Sequence, residues 1–237
     1  MDYDKLREAA IAFAKANKGN IARELADSRV YKPEDIPVSV FMAGSPGAGK
    51  TEFSKAVLSL LEGERNHPVL RIDSDDFRAR IPGYTGQNSY IFQGAISIIA
   101  EKVHDCALEN NQTFIFDGTF SKYEKAVANI KRSLGKKRRV FIFYVYQQPS
   151  VAWRFTEARE KTEGRHIPKG AFIDQFLGAR ETAERLSREF GESVTIMLVK
   201  KDFEKNTVET IVEIDANHPI DAYIEKRYTE GELGRMI

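Results

Sequence analysis

Residues 44–51 read GSPGAGKT, a complete G-x-x-x-x-G-K-T pattern. They follow a short apolar run at 38–42, which predicts a buried strand, and they open a helical pattern at about 50–61. A strand, a glycine-rich loop and a helix in this order form a phosphate-binding loop, or P-loop. Glycines let backbone N–H groups converge on phosphate oxygens, and the helix N-terminus adds partial positive charge. The stretch therefore predicts a nucleotide site.

The residues of this loop have different roles in binding a nucleotide. Lys50 supplies a mobile cation for the β- and γ-phosphates, and the Thr51 hydroxyl is the predicted Mg²⁺ ligand. We expect ATP as the donor, with GTP as the alternative, and Mg²⁺ as the cofactor. The predicted nucleotide-binding residues are Gly44, Ser45, Pro46, Gly47, Ala48, Gly49, Lys50 and Thr51.

Strands and helices alternate along the rest of the chain. Further predicted strands lie at 69–72, 113–116, 140–146 and 194–199, and further helices at about 89–109, 121–134, 150–162 and 170–189. This alternation predicts an α/β fold of the P-loop kinase type, with a mainly parallel central sheet of about five to six strands flanked by helices.

The chain has no evident linker, so we predict a single P-loop kinase domain over residues 1–237. Its predicted parts are an N-terminal helical extension at 1–35 with a helix at 4–18 ending at Gly19, a core at 36–200 with a helical lid near 150–170, and a C-terminal hairpin and helix at 201–237. The hairpin is predicted to turn at 204–206, with an antiparallel strand at 208–214 and the last helix from Pro219.

Composition narrows the class of protein. The formal net charge is +1, from 36 basic and 35 acidic residues, so no global attraction to nucleic acid or to an anionic membrane is expected. The basic run at 136–139 is interpreted as a solvated turn. The single cysteine, Cys106, suits a reducing compartment, and neither a signal peptide nor an apolar stretch of membrane-spanning length is evident. We expect a cytoplasmic protein that does not bind membranes or nucleic acid.

An acidic cluster follows the second predicted strand, where the sequence at 71–78 reads RIDSDDFR. A carboxylate at this edge of the sheet can accept the proton of an acceptor hydroxyl during phosphoryl transfer. Asp75 is the predicted catalytic base, and Asp73 is predicted to order Mg²⁺ and its waters on the substrate side. The alternative role of an acid here is to cap the following helix, which suits Asp76 better than Asp75.

A second acid ends the third predicted strand, in FIFDGTF at 114–120. Asp117 and Thr119 are predicted to hydrogen-bond a substrate or to position a Mg²⁺-bound water. The alternative for Thr119, or for Ser121, is a cap on the next helix.

The segment after the fourth strand carries two candidate catalytic arginines. P-loop kinases have a mobile lid here, and a lid arginine neutralises charge that develops on the transferring phosphoryl group. Arg165 lies beside Gly164, a possible hinge, and Pro168 is placed to start the next helix. Arg159, six residues earlier, is predicted to point toward the same phosphates. Lys50, Asp75, Arg159 and Arg165 are therefore the predicted catalytic residues.

Taken together, these motifs over residues 36–200 resemble the zeta toxin family of bacterial and phage kinases. The resemblance implies transfer of a phosphoryl group to the 3′-hydroxyl of the sugar in UDP-N-acetylglucosamine. It places Asp75 at the base position, Asp117 and Thr119 on the sugar-nucleotide side, and Arg159 with Arg165 as the phosphate-clamping pair. It also implies a small antitoxin protein as partner. Asp117 departs from the family, which often has Glu at this position.

Two alternatives remain open from the sequence. One is a P-loop kinase for another hydroxyl substrate, such as a nucleoside, an antibiotic or a polynucleotide end. The other is a non-catalytic nucleotide-dependent switch, which would not need an acid paired with a lid arginine.

Overall fold

The computed structural model of the protein describes residues 2–202 and 207–237, apart from the side chain of Asp75. The predicted turn at 204–206 lies outside the described residues. The strands are β1 (Val38–Ala43), β2 (Leu70–Asp73), β3 (Phe114–Asp117), β4 (Arg139–Tyr146), β5 (Thr195–Lys201) and β6 (Val208–Glu213). The helices are α1 (Tyr3–Leu25), α2 (Lys50–Arg65), α3 (Asp75–Arg78), α4 (Gln93–Glu109), α5 (Tyr123–Gly135), α6 (Pro149–Glu163), α7 (Lys169–Phe190) and α8 (Glu230–Met236), with short 3₁₀ turns at Gly191–Ser193 and Ile220–Ala222.

The described strands form one sheet in the order β2-β3-β1-β4-β5-β6. The pairings from β2 through to β5 are parallel, and β6 pairs with β5 in the antiparallel direction. This arrangement confirms the predicted α/β fold with a mainly parallel sheet. Because the chain leaves β1 first toward one edge and later toward the other, the carboxyl ends around β1 open a crevice, where such sheets bind ligands.

Strand β1 is buried on both faces, which explains its continuous apolar run. Val40 and Met42 belong to a cluster that includes Phe53 of α2, whereas Phe41 belongs to the larger core on the opposite face. There the rings of Phe41 and Phe114 meet edge to face, with 5.7 Å between their centroids. The two-sided burial fixes where the P-loop leaves the sheet.

Helix α1 is longer than predicted, because it continues past Gly19 to Leu25. A side chain at Gly19 would meet nothing within 4 Å, so this glycine lies on an open face of the helix. Glycine inside a helix costs only about 1 kcal/mol relative to alanine. Burial of Ala14 and Ala22, on the face of α1 that packs on the rest of the molecule, outweighs that cost.

The basic run at 136–139 is a solvated turn at three positions and a buried anchor at the fourth. Arg138 is only 3% exposed, whereas the other three residues are exposed. Its Nε donates to Ser39 Oγ at 2.8 Å and its Nη2 to the carbonyl of Val38 at 3.0 Å, and the guanidinium lies over the ring of Phe114. The interpretation of the whole run as solvated is therefore wrong at Arg138, which joins the start of β4 to the start of β1.

The C-terminal segment also differs from the prediction of one helix from Pro219. A short 3₁₀ turn comes first, and α8 begins only at Glu230, after a capping box made by Thr229 and Glu232. No helix in the described part of the chain is long and apolar enough to cross a membrane.

Candidate active site

The glycines of the P-loop are required by the surroundings of the loop. Gly44 has φ +137°, and a Cβ on it would lie 2.3 Å from the carbonyl oxygen of Val145 in β4. Gly47 has φ +70°, and a Cβ there would lie 2.0 Å from the carbonyl oxygen of Ala152 in α6. Both approaches are far inside van der Waals contact, so the loop holds its shape only with glycine at these positions.

Lys50 is the first residue of α2 and folds back over the loop. Its Nζ donates to the carbonyl of Gly44 at 2.9 Å and to that of Ser45 at 2.6 Å. The half-buried ammonium group thus lies over the start of the loop, where the sequence predicts that the β- and γ-phosphates bind.

Burial lowers the pKa of Lys50 to about 8. The negative charge of Asp117 raises the pKa of Lys50, and the positive charges of Arg165 and Arg159 lower it further. Glu52 has a smaller raising effect. Since like charges affect one another strongly only when they are close, the two predicted lid arginines share one site with Lys50. A phosphate, with its negative charge, would favour the protonated lysine.

The other loop residues fall into two groups. Pro46, Gly47, Gly49 and Thr51 line a cleft together with Lys50. The side chain of Ala48 is fully buried in the α2-side core, so this residue can offer only its backbone to a phosphate. Ser45 is also buried, and its carbonyl accepts from Lys50 Nζ.

The acids that end β2 and β3 lie side by side. Asp73 and Asp117 are aligned in the parallel register, and Arg71 Nη2 donates to the Oδ2 of each at 2.5 Å. Ser54 of α2 donates to the same oxygen of Asp117 at 2.9 Å, and it accepts from Arg71 Nε at 3.1 Å. This network holds the two carboxylates in the wall of the cleft and joins them to the helix that follows the P-loop.

Arg71 and Ser54 are two site residues that the sequence motifs do not predict. The available signal was an arginine inside an apolar strand, two residues before an acid and so on the same face as that acid. Its second partner, Asp117, comes from a neighbouring strand and depends on the register between strands. Ser54 gave no signal beyond its place one turn after the loop lysine.

Thr119 joins the end of β3 to the P-loop. Its carbonyl accepts from the N–H of Gly44 at 3.0 Å, and its hydroxyl lies 3.1 Å from that of Ser121. Helix α5 starts only at Tyr123, and no side chain caps its first turn. The alternative of Thr119 or Ser121 as a helix cap is therefore wrong, and Thr119 lines the cleft beside Asp117.

The acidic residues after β2 do not occupy the cap position of the helix that follows, which is the alternative role expected for Asp76. Helix α3 begins at Asp75, and its cap position is Ser74, which makes no side-chain cap hydrogen bond. Asp76 is inside the helix, so its assignment as the cap is wrong. The side chain of Asp75, the predicted base, lies outside the described residues. Its backbone follows directly on Asp73 and Ser74, which line the cleft.

The two predicted lid arginines flank the end of α6. The helix ends at Glu163, and Gly164 follows with φ +68° in the left-handed region. Arg159 bonds Glu163 one turn later, with Nη2 to Oε2 at 2.9 Å, and Arg165 follows the glycine. Both arginines line the same cleft as Lys50. Pro168, at the cap position of α7, closes the segment as predicted.

The cleft has a volume of about 760 Å³ and extends from the P-loop into the space between α4, α5 and α7. Its far end is lined by apolar and uncharged polar side chains, with two lysines at the start of α5. These residues are Gln93, Ile96, Ser97, Phe116, Phe120, Lys122, Lys125, Asn129, Ile167 and Gln175. Pockets of about this size hold most of the surface of a small-molecule ligand, so the cleft has room for an acceptor next to the donor phosphates.

The segment at 82–88, PGYTGQN, is rich in turn residues and polar groups, as a rim around a ligand would be, but the side chain of Asn88 bonds within the segment. The buried side chain of Asn88 donates to the carbonyl of Gly83 at 2.8 Å and accepts from the N–H of Thr85 at 3.0 Å. The cleft is lined instead by the next two residues, Ser89 and Tyr90. Ser89 donates to the carbonyl of His166 at 3.0 Å and so joins this rim to the arginine-bearing loop.

The donor set at the P-loop suits Mg²⁺ better than a transition metal. No group of three or more His, Cys, Asp or Glu side chains that could hold a metal occurs among the described residues. Mg²⁺ needs no such group, because it keeps several waters and takes one or two protein oxygens plus phosphate oxygens. The Thr51 hydroxyl and the Asp73 carboxylate, which line one cleft, could supply those oxygens.

The strand order of the sheet and the glycine-rich loop are those of the P-loop kinase fold, and this fold defines the structural class of the protein. The family model described as Zeta toxin matches residues 21–212, and the chain therefore belongs to the zeta toxin family. The match includes the P-loop, both acidic strand ends and both cleft arginines. No curated protein sequence matches the chain.

Solved structures with the same fold share little sequence with this chain. It is similar to the PezAT chromosomal toxin–antitoxin system of Streptococcus pneumoniae, with a TM-score of 0.67 and 15% identity over 94% of this chain and 90% of that chain. It is also similar to AvrRxo1-ORF1:-ORF2 with ATP, with a TM-score of 0.59 and 14% identity over 94% of this chain and 70% of that chain. At these identities the similarity concerns the fold alone.

Proposed function

We propose that this protein is an ATP- and Mg²⁺-dependent kinase that phosphorylates a sugar hydroxyl of UDP-N-acetylglucosamine or of a related UDP-sugar. The observation that carries the proposal is the convergence of Lys50, Arg159 and Arg165 on one cleft with the paired acids Asp73 and Asp117. A nucleotide switch needs the phosphate loop but has no need of both features. A phosphoryl transferase uses both, because it must neutralise the transferred group and hold an acceptor.

The donor half of the site is the P-loop. Its backbone and the N-terminus of α2 bind phosphate oxygens, and Lys50 exchanges the carbonyls of Gly44 and Ser45 for the β- and γ-phosphates. Thr51 and Asp73 are the residues that would hold Mg²⁺, directly or through its waters. When bound, Mg²⁺ neutralises charge on the phosphates.

The acceptor half begins at the carboxyl ends of β2 and β3. We assign Asp75 as the group that receives the proton of the acceptor hydroxyl. Asp117 and Thr119 bind the acceptor and hold its hydroxyl in line with the donor phosphate. Arg71 and Ser54 occupy one oxygen of Asp117, which orients the other toward a ligand. In a loose transition state this positioning contributes more than the basicity of any one carboxylate.

The lid is the segment near 150–170, formed by α6 and the loop that follows it. Gly164 lets the chain turn at the end of α6, and Arg165 follows it into the cleft. Arg159 has to leave its ion pair with Glu163, at 2.9 Å, to reach a phosphate. That pair is partly exposed and is worth at most about 1 kcal/mol.

The far end of the cleft fits the other half of a UDP-sugar. Two amide side chains, Gln93 and Gln175, offer donors and acceptors of the kind that pair with a uracil or an acetamido group. Asn129 adds an amide donor, because its Oδ1 already accepts from Arg132 Nη2 at 2.6 Å. Lys122 and Lys125 add positive charge for a diphosphate, and Lys125 would leave its ion pair with Glu101, at 2.7 Å, to reach it. We choose a UDP-amino sugar on this basis and on membership of the zeta toxin family, whose resemblance implies that acceptor.

The biological setting belongs to the same proposal. We propose a single-domain cytoplasmic toxin of a toxin–antitoxin pair, held inactive by a small protein that blocks the nucleotide site. The support is the family and the similarity to the PezAT toxin–antitoxin system.

The test is a transfer assay with a panel of acceptors. Purified protein is incubated with ATP, Mg²⁺ and UDP-sugars, nucleosides, antibiotics or RNA with free 5′-hydroxyl ends, and products are identified by mass spectrometry. We expect one added phosphoryl group on a UDP-amino sugar, and none with the Lys50→Ala variant. Phosphorylation of a nucleoside, antibiotic or RNA end instead would leave a kinase but refute the acceptor. Hydrolysis or binding of ATP with no phosphorylated acceptor would favour a switch.

A further inference from the structure

A second lysine approaches the P-loop at Gly49, the last residue before α2. Lys201 is the last residue of β5, and its side chain lies on the same face of the strand as Val199, in the core beneath α2. Its Nζ lies 3.3 Å from the point where a Cβ on Gly49 would stand. The pairing of β5 with β6 shifts register between Lys200 and Lys201, an irregularity of the kind that re-aims side chains near active sites.

The side chain of Lys201 is largely buried beside the loop, and its nearest described carboxylate is that of Glu52, whose Oε2 lies 3.7 Å from the same Cβ point on Gly49. Lys201 is 5% exposed, and within residues 2–202 and 207–237 no group accepts a hydrogen bond from its Nζ or forms an ion pair of 4.0 Å or less with it. Burial lowers the pKa of Lys201, and the negative charge of Glu52 opposes this effect. Partial burial of the Lys201 ammonium group makes its charged form less favourable than in water. An anion from outside the chain, bound at the loop, would offset that effect.

We propose that Lys201 is a second phosphate-binding cation of the nucleotide site, placed at the end of the P-loop as Lys50 is placed at its start. Lys50 bonds the carbonyls of Gly44 and Ser45, whereas Lys201 lies against Gly49, the residue before α2. The N-terminus of α2 attracts the same anion. The inference rests on the nucleotide site of the proposed function and does not depend on the acceptor.

The test is a set of binding titrations with the full chain. ADP, inorganic pyrophosphate and adenosine are titrated by calorimetry into the wild type, Lys201→Met and Lys200→Met. Lys200 is the matched control, because it is the neighbouring lysine and its Nζ pairs with Glu209 of β6 at 3.1 Å. We expect Lys201→Met to weaken ADP and pyrophosphate by about ten- to a hundredfold, the effect of a charge-assisted hydrogen bond. Adenosine should change by less than about twofold, and Lys200→Met should change none of the three.

The outcomes separate this inference from the proposed function. ADP binding by Lys201→Met within about twofold of the wild type would overturn it, even if the melting temperature falls, because Lys201 would then only pack against the loop. Equal losses for ADP and adenosine would also overturn it. Should Lys201→Met fail to fold, Lys201→Gln removes the charge but keeps a polar group and is read in the same way. If the wild type itself does not bind ADP, the nucleotide site of the proposed function fails as well.

Discussion

The lowered pKa of Lys50 makes nucleotide binding dependent on pH in a predictable direction. With a pKa of about 8, Lys50 in the free protein is about nine-tenths protonated at pH 7 and about one-tenth protonated at pH 9. Bound phosphates favour the ammonium form and raise the pKa, so above pH 8 binding must take up a proton. Affinity is therefore fully present below pH 8 and falls as pH rises through that value.

The size of the effect follows from the same pKa. If the bound form stays protonated, the dissociation constant of ADP should rise about tenfold between pH 7 and pH 9, or about 1.4 kcal/mol. Calorimetry in two buffers of different ionisation enthalpy should show uptake of about 0.9 proton per ADP at pH 9. Lys50→Arg is the control, because arginine stays charged throughout this range. A wild-type affinity that changes less than twofold, or that changes equally in Lys50→Arg, would refute the reasoning.

Three further predictions concern the residues around Lys50. Asp75→Asn should bind ADP as the wild type does, while transfer to the acceptor falls by about 10²- to 10⁴-fold, measured by initial rates; unchanged transfer would remove Asp75 from the mechanism. Arg165→Ala should lower kcat by about 10³-fold, more than it raises the KM for ATP, whereas Arg154→Ala, an exposed arginine on α6, should stay within twofold; equal effects would make Arg165 a surface residue. Arg71→Met should lower the free energy of unfolding in urea by about 3 kcal/mol, because two buried carboxylates lose their shared counter-ion. Ser54→Ala should cost about 1 kcal/mol, and equal losses from the two variants would contradict the central place of Arg71.

The elements around the P-loop were predictable because their signals are local. The run at 38–42 is buried on both faces, and a strand in that position reads as continuously apolar. The glycine pattern has one stable arrangement between a strand and a helix, so the site could be located from eight residues. Acids at the ends of β2 and β3 could be placed near it, since the carboxyl ends of parallel strands share one edge.

The buried basic residues could not be predicted, because their partners come from distant parts of the chain. In the sequence, Arg138 is one of four adjacent basic residues that all appear solvated. Only the fold brings the starts of β1 and β4 together beside it. Arg71 finds Asp117 only through the register of β2 with β3. Lys201 likewise appears in the sequence only as the second of two lysines at the end of a strand, with nothing that places it near the P-loop. For the same reason Gly19 suggested a helix end, whereas packing of α1 on α4 carries the helix through it.

The most direct test of the central claim is to follow donor and acceptor together in one sample. The protein is mixed with ATP, Mg²⁺ and UDP-N-acetylglucosamine, and the reaction is recorded by phosphorus NMR. If the paired acids and the lid arginines carry out phosphoryl transfer, ADP and a new sugar phosphomonoester should appear in equal amounts, with no inorganic phosphate. Formation of ADP with an equal amount of inorganic phosphate, whichever UDP-sugar is present, would contradict the account.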